Sequence, residues 1–271
     1  MSLELMYITN DVNIAAIVDR CGVDRVFVDL EKLGKDERQK GNTVKSNHSI
    51  SDVAKVKPFV KNSKLLVRIN PMNPSSREEI EQVINNGADI IMLPYYKTPQ
   101  EVIAFLDMVA GRTKNILLLE TKEAHECLEE VLKIEGVDEF HIGLNDLHLS
   151  YHKRFMFELF IDGTVKDIVH KIAAKGLPFG IGGIAKIGEG LLPAEHVITE
   201  HYRLGSTAAI LSRSFCEANY YFSNPGEFEV EFMEGVNEIR AFEKKLPYKD
   251  SHYFRQNYMD IERIIQTIVN K

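Results

Sequence analysis

A carboxylate that closes a run of aliphatic residues raises the question of what it binds. Glu120, the last residue of ILLLE (116–120), is such a group. Left unpaired at the end of a buried strand it would be strongly unfavourable, so a cation, a hydrogen-bond network or a metal has to meet it. Asp146 follows the run EFHIGL (139–144) and provides a second carboxylate. Two hard oxygen donors, completed by water and substrate, suit Mg2+ or Mn2+, with Co2+ as a further option.

Asp29 and Glu31 stand two apart in VFVDLE (26–31), a spacing that projects both from the same side of a strand. Arg68 in LLVRIN (65–70) brings a cation to another strand end, where Asn70 also stands. Its guanidinium could bind a substrate carboxylate or stabilise an enolate oxygen. The alternative is a structural ion pair with Asp29 or Glu31. The stretch HIGLNDLHLS (141–150), with His152 just beyond, is rich in histidine, but His148 and His152 have no helix-forming run around them. They read as loop histidines and His141 as a packed strand residue, which leaves oxygen ligands for the metal. FGIGGIAKIGEG (179–190) supplies glycines that either cradle phosphate with backbone N–H groups or permit close packing.

Positioning such groups requires a frame that gathers strand ends. Eight short apolar runs recur, LMYIT, VFVDLE, LLVRIN, IIMLPY, ILLLE, EFHIGL, FGIGG and AAILSR, each followed by a turn and a segment of helical spacing. SSREEIEQVINNG carries Ile80, Val83 and Ile84 on one face, and TPQEVIAFLDMVAG carries Val102, Phe105, Leu106 and Val109. Thr98 and Pro99 form a helix start, and Gly87 and Gly111 stand at helix C-caps. Eight strand–helix units predict an α/β fold, a (β/α)8 barrel with additional C-terminal helices. An open dinucleotide-binding sheet is disfavoured because no G-x-G-x-x-G follows the first strand. Residues 1–215 are assigned to the barrel and 216–271 to a helical extension. That extension has a stripe at Met233, Val236, Ile239 and Phe242 and a second helix at IERIIQTIVN, either closing the barrel from below or packing on another subunit.

The chain has 271 residues, enough for one large domain of this class. A formal net charge of -7 argues against nucleic acid or an anionic membrane as partner. No apolar run approaches the length of a membrane span, and there is no basic, then apolar, leader at the N-terminus. Cys21, Cys127 and Cys216 are widely spaced and read as reduced, so the expected compartment is the cytoplasm.

Five stretches, GVDRVFVDLE, LLVRINP, GADIIMLP, ILLLETKEA and GVDEFHIGLNDL, in this order, resemble the HpcH/HpaI aldolase and citrate lyase beta-chain family of metal-dependent barrels. The resemblance implies that Glu120 and Asp146 bind the divalent metal and that Arg68 holds a pyruvate-like moiety and its enolate. It further implies that backbone N–H groups from Gly143 through Leu144 and Asn145 to Asp146 meet the substrate carboxylate. The implied activity is carbon–carbon cleavage or formation of a hydroxylated 2-oxo acid, with an aldehyde as partner. The implied assembly is a homo-oligomer of dimer units, up to a hexamer.

One departure is chemical. Pyruvate aldolases of this family carry histidine after Asp-x-Glu, whereas Asp29-Leu30-Glu31 is followed by Lys32. Proton transfer then falls to a metal-bound water with Glu31, to Lys32, or to His48 in KSNHSIS. The Asp-Leu-Glu triplet also resembles the CoA-thioester lyase branch, and the missing histidine admits a non-catalytic barrel that binds metal and oxo acid.

Overall fold

The computed structural model describes residues 2–34, 47–212, 215 and 224–270. Its eight strands close into a barrel in sequence order, with every neighbouring pair parallel. They are β1 (Glu4–Ile8), β2 (Arg25–Asp29), β3 (Lys64–Arg68), β4 (Ile90–Leu93), β5 (Lys114–Leu119), β6 (Glu139–Ile142), β7 (Phe179–Ile184) and β8 (Ala208–Leu211). The (β/α)8 reading of the sequence is therefore the observed fold. Arg213, the cation expected at the eighth strand end, and Cys216 lie outside the described residues, as do residues 35–46 of the segment after β2.

Helices follow the strands as the spacing predicts. They are α1 (Val12–Arg20), α2 (Ile50–Val56), α3 (Ser76–Asn85), α4 (Pro99–Val109), α5 (Lys122–Glu126) and α6 (Leu128–Val131), then α7 (Leu144–Ser150), α8 (Glu158–Ile161), α9 (Thr164–Ala174), α10 (Ala194–Leu204), α11 (Pro225–Glu243) and α12 (Ser251–Val269). Thr98 caps α4 in a reciprocal box with Glu101 behind Pro99, as its residue types require. Gly87 takes the left-handed conformation just past α3, but at the end of α4 Ala110 is itself left-handed, ahead of Gly111.

Strand alternation sorts the core into two layers. Met6, Phe27, Leu66, Ile90, Met92, Ile116, Leu118 and Ala208 fill the barrel interior, while the apolar residues that alternate with them, such as Leu5, Val26, Val28, Leu65 and Val67, pack outward against the helices. At the N-terminal end of the interior, Arg25 of β2 reaches Glu139 of β6 through two bonds of 2.8 Å and also contacts Glu4. This ion cluster seals the end remote from the strand C-termini.

The C-terminal helices cover the same chain. Helix α11 packs on α1, and its Phe232 meets Tyr7 edge-on at 4.9 Å. Near its end Arg240 donates to the Leu3 carbonyl and to Asp24, and Glu243 accepts the Leu3 N–H at 2.7 Å. The buried stripe of α11 is Phe228, Phe232, Val236 and Ile239. Met233, expected within it, is 40% exposed, because one residue beyond Phe232 turns about 100° off that face. Helix α12 lies on α10 and α8, with Asn257 bonded to His196. Among the described residues no helix is long and apolar enough to cross a membrane.

Two buried histidines make the frame acid-sensitive. His141 points into the barrel against Gly180, where an ideal Cβ would stand 2.3 Å from Nδ1, so glycine there serves close packing. Burial, with the charges of Arg25 and Arg68, lowers the His141 pKa to about 3, against an opposing bond to the Gly182 carbonyl. Burial likewise lowers His201, bonded to Ser206, to about 3. Both imidazoles stay neutral in the fold while the unfolded chain protonates them below the ordinary histidine value. Stability is thus unaffected above pH ~6.5 and falls between that value and ~3, by about 1.4 kcal/mol per pH unit for each ring. Urea midpoints measured from pH 7.5 to 5 should decline below 6.5; a flat profile would contradict neutral burial.

Candidate active site

The strand C-termini converge on a polar basin whose centre is Arg68. The β2–β3 register sets Asp29 directly beside Arg68, so the last residues of the two strands face each other without any loop to position them. Arg68 Nε donates to Asp29 Oδ1 at 2.8 Å and the terminal nitrogen to Oδ2 at 2.9 Å, a bidentate fork; the same nitrogen lies 3.4 Å from Glu31 Oε2. The guanidinium carbon stands 5.6 Å from the Phe27 ring centroid. Burial works against the charge, but Asp29, Glu31 and Glu120 outweigh it and hold the Arg68 pKa well above its usual value. The ion-pair alternative for Arg68 is realised, and it coexists with a place in the basin.

Glu120 follows β5 and is buried; its Oε1 accepts the Tyr95 N–H at 3.1 Å. Gly143 closes the neighbouring strand so tightly that a Cβ there would meet Glu120 Oε2 at 2.8 Å. Asp146 is buried in the first turn of α7, and exposed Asn145 donates to its Oδ1 at 3.2 Å. Leu144 is buried under Gly182. The Gly143 N–H is bonded to the Leu119 carbonyl at 2.9 Å, so the expected backbone donors narrow to those of residues 144–146 at the start of α7.

Among the described residues no group of three His, Cys, Asp or Glu side chains is arranged to hold a metal. In donor chemistry, two carboxylates following adjacent strands, Glu120 and Asp146, would suit a hard ion with further oxygen ligands and not a closed tetrahedral zinc site.

Lys32 is exposed and directs its ammonium to Asn47 Oδ1 at 3.2 Å. His48, which its polar context allowed equally to lie at the surface, is buried against β2, where its Nδ1 accepts the Asp29 N–H at 2.9 Å. The loop reading of His148 fails too. Leu144 and Leu147 bury one face of a short helix that the polar residues between them obscured, and His148 is buried on it, bonded to the Leu144 carbonyl. His152 lies past the helix end with φ of 55°, so no shared face joins the two histidines.

One residue escaped the sequence reading, and another was seen without its role. Tyr95 adopts a left-handed φ of 51° at the mouth of β4, the kind of strained position that gathers at functional sites, and nothing in PYYK signals it. Asn70, visible as a strand-end polar residue, has the role of a clamp. Its Oδ1 accepts the N–H groups of Lys32 and Leu33 at 2.9 and 3.1 Å, while its amide donates to buried Glu79. It fixes the turn that carries Glu31. A surface depression of about 420 Å³ lined by Tyr248, Lys249 and Tyr253 lies at the α11–α12 turn, away from this basin.

The model of HpcH/HpaI aldolase/citrate lyase matches residues 5–177. The chain belongs to this family. In fold it is similar to an HpcH/HpaI aldolase/citrate lyase family protein from Burkholderia cenocepacia J2315, with a TM-score of 0.64 at 13% identity over 84% of this chain and 95% of that one. The citrate synthase SbnG gives 0.62 at 16% identity over 87% and 95%. Macrophomate synthase gives 0.57 at 13% identity over 78% and 77%. No curated protein matches the sequence. Membership of the HpcH/HpaI family makes lyase-type chemistry the function class of this chain.

Replacing Asp29 by Asn keeps its volume but strips the fork from a buried cation, which is expected to cost about 3–5 kcal/mol. Glu31→Gln, at the longer contact, should cost less than half of that. Urea unfolding of the two variants checks the ordering, and equal losses would contradict the bidentate pair as the principal tie.

Proposed function

We propose that this family member is a divalent-metal-dependent carbon–carbon lyase that cleaves or forms a hydroxylated 2-oxo acid by way of a pyruvate-type enolate. The observation that carries the reading is Arg68, held by Asp29 and Glu31 on one side of the basin and acted on by the charge of Glu120 from the other. Glu120 and Asp146 would hold Mg2+, Mn2+ or Co2+, and the bound ion supplies Lewis-acid polarisation of the oxo acid.

The chain's own groups have separable tasks. Arg68 binds the oxo-acid oxygen and shares the negative charge that develops there, with Asp29 fixing its plane so that no reorientation is needed as charge grows. Backbone N–H groups of residues 144–146 orient the substrate carboxylate. Glu31, beside the terminal nitrogen of Arg68, is the carboxylate placed to hold the proton leaving C3. The partners are then a small 2-oxo acid and an aldehyde. The CoA-thioester alternative rests on the Asp29-Leu30-Glu31 triplet and uses the same basin.

Purified protein with Mg2+, Mn2+ or Co2+ is expected to exchange the methyl protons of pyruvate in D2O, followed by NMR. Glu120→Gln and Asp146→Asn should each slow exchange at least ~100-fold, about 2.7 kcal/mol of transition-state stabilisation. Absence of exchange with all three ions would overturn the enolising reading, and acyl-CoA release without turnover of free oxo acids would favour the thioester lyase.

We also propose a homo-oligomer, in which a partner surface would cover Val230 and Met233, exposed on α11. Light scattering at micromolar concentration should give at least twice the mass of one chain; a monomer would contradict it.

A further inference from the structure

We propose that His48 is a positioning residue, locked in one tautomer, that completes the edge of β2 at Asp29 and thereby sets the Asp29–Arg68 fork, and that it is not the proton acceptor of the reaction. The activity readout below rests on the enolising reading of the previous subsection; the tautomer does not.

The backbone of β2 shows why a side chain is needed there. Phe27 and Asp29 turn their peptide groups toward β1, and Leu30 turns its N–H toward β3, where it meets the Arg68 carbonyl at 2.9 Å. The last β1–β2 rung is Thr9 N–H to the Phe27 carbonyl at 3.0 Å. Beyond it the chain leaves the sheet, because Asp11 caps α1 by accepting the N–H groups of Asn13 and Ile14. The Asp29 N–H, one residue before Leu30, donates to a side chain from outside the sheet. A buried N–H without an acceptor is costly, and His48 Nδ1 meets it at 2.9 Å.

That bond decides the chemistry of the ring. An imidazole nitrogen that accepts a hydrogen bond carries no proton, so the neutral ring has its proton on Nε2. The single basic lone pair is therefore spent on the Asp29 backbone, and taking up a proton there would break the bond. The chain next to His48 is also anchored. Ser49 and Asp52 form a capping box at the start of α2, and Asp52 Oδ2 also accepts Asn10 Nδ2 at 3.0 Å, tying the β1–α1 turn to the same point. Burial opposes the Asp52 charge, but bonds from Asn10, Ser49 and Lys55 prevail and hold its pKa at about 2. The anchor thus persists through the neutral range.

The test pairs two substitutions with one spectroscopic measurement. His48→Ala should slow metal-supported pyruvate exchange at least ~10-fold, about 1.4 kcal/mol. His48→Asn, whose side-chain oxygen can occupy the place of Nδ1 but cannot titrate, should restore exchange to within about threefold of the wild type with an unchanged pH profile. If His48→Asn is as slow as His48→Ala, with the acidic limb of the profile abolished, His48 is the base and the proposal falls. In 15N-histidine-labelled wild-type protein, the long-range 1H–15N pattern lost in His48→Asn should be that of the Nε2–H tautomer; an Nδ1–H tautomer overturns the proposal whatever the activity. Wild-type protein with no exchange but an Nε2–H His48 would sink the enolising function and leave the tautomer lock standing.

Discussion

The buried fork between Arg68 and Asp29 is the constraint around which the mouth of this barrel is arranged. A guanidinium at this depth is tolerated only because a carboxylate on the neighbouring strand meets it with two parallel bonds, and the parallel β2–β3 register brings the two α-carbons side by side. Everything adjacent serves that geometry. Phe27 lies under the guanidinium, Asn70 clamps the turn after Asp29, and Glu31 approaches the same nitrogen. A cation so held has a fixed orientation, the preorganisation that the proposed enolate chemistry would use.

The interior of the barrel is polar at both ends and apolar between. Arg25 with Glu139 and Glu4 closes the N-terminal end, and Arg68 with Asp29 and Glu31 organises the other. The fully buried layer of Phe27, Leu66 and Ile116 separates the two charge clusters, and His141 stays neutral because it is buried and, in addition, lies in the field of both arginines. One charge cluster thus closes the N-terminal end and the other organises the C-terminal mouth, whose rim is shaped by residues past the strands such as Tyr95 and Gly143.

Much of this was legible in the residue order. Short apolar runs, each followed by a turn and a segment of helical spacing, announced the strands, and Thr98-Pro99 announced a cap, because both follow from local backbone preferences. Arg68, Glu120 and Asp146 stood out because a charge beside an aliphatic run has no inexpensive local explanation. The helix bearing His148 was hidden by its brevity, since seven residues give barely two turns of periodicity. Met233 was misplaced in the stripe of α11 because a one-residue phase error is invisible until the opposing surface is known.

The sequence by itself determined the eightfold alternation, the membership of the strand-end set and the hard-oxygen character of the carboxylates, all of which depend on residue type and short-range spacing. Only the tertiary structure decided that Asp29 and not Glu31 provides the fork, that the Gly143 N–H is consumed within the sheet, and that His48, nineteen positions beyond Asp29, returns to accept the Asp29 N–H. Those outcomes depend on register and on which backbone groups lack a partner after the barrel closes, and a barrel closes only when all eight strands are in place.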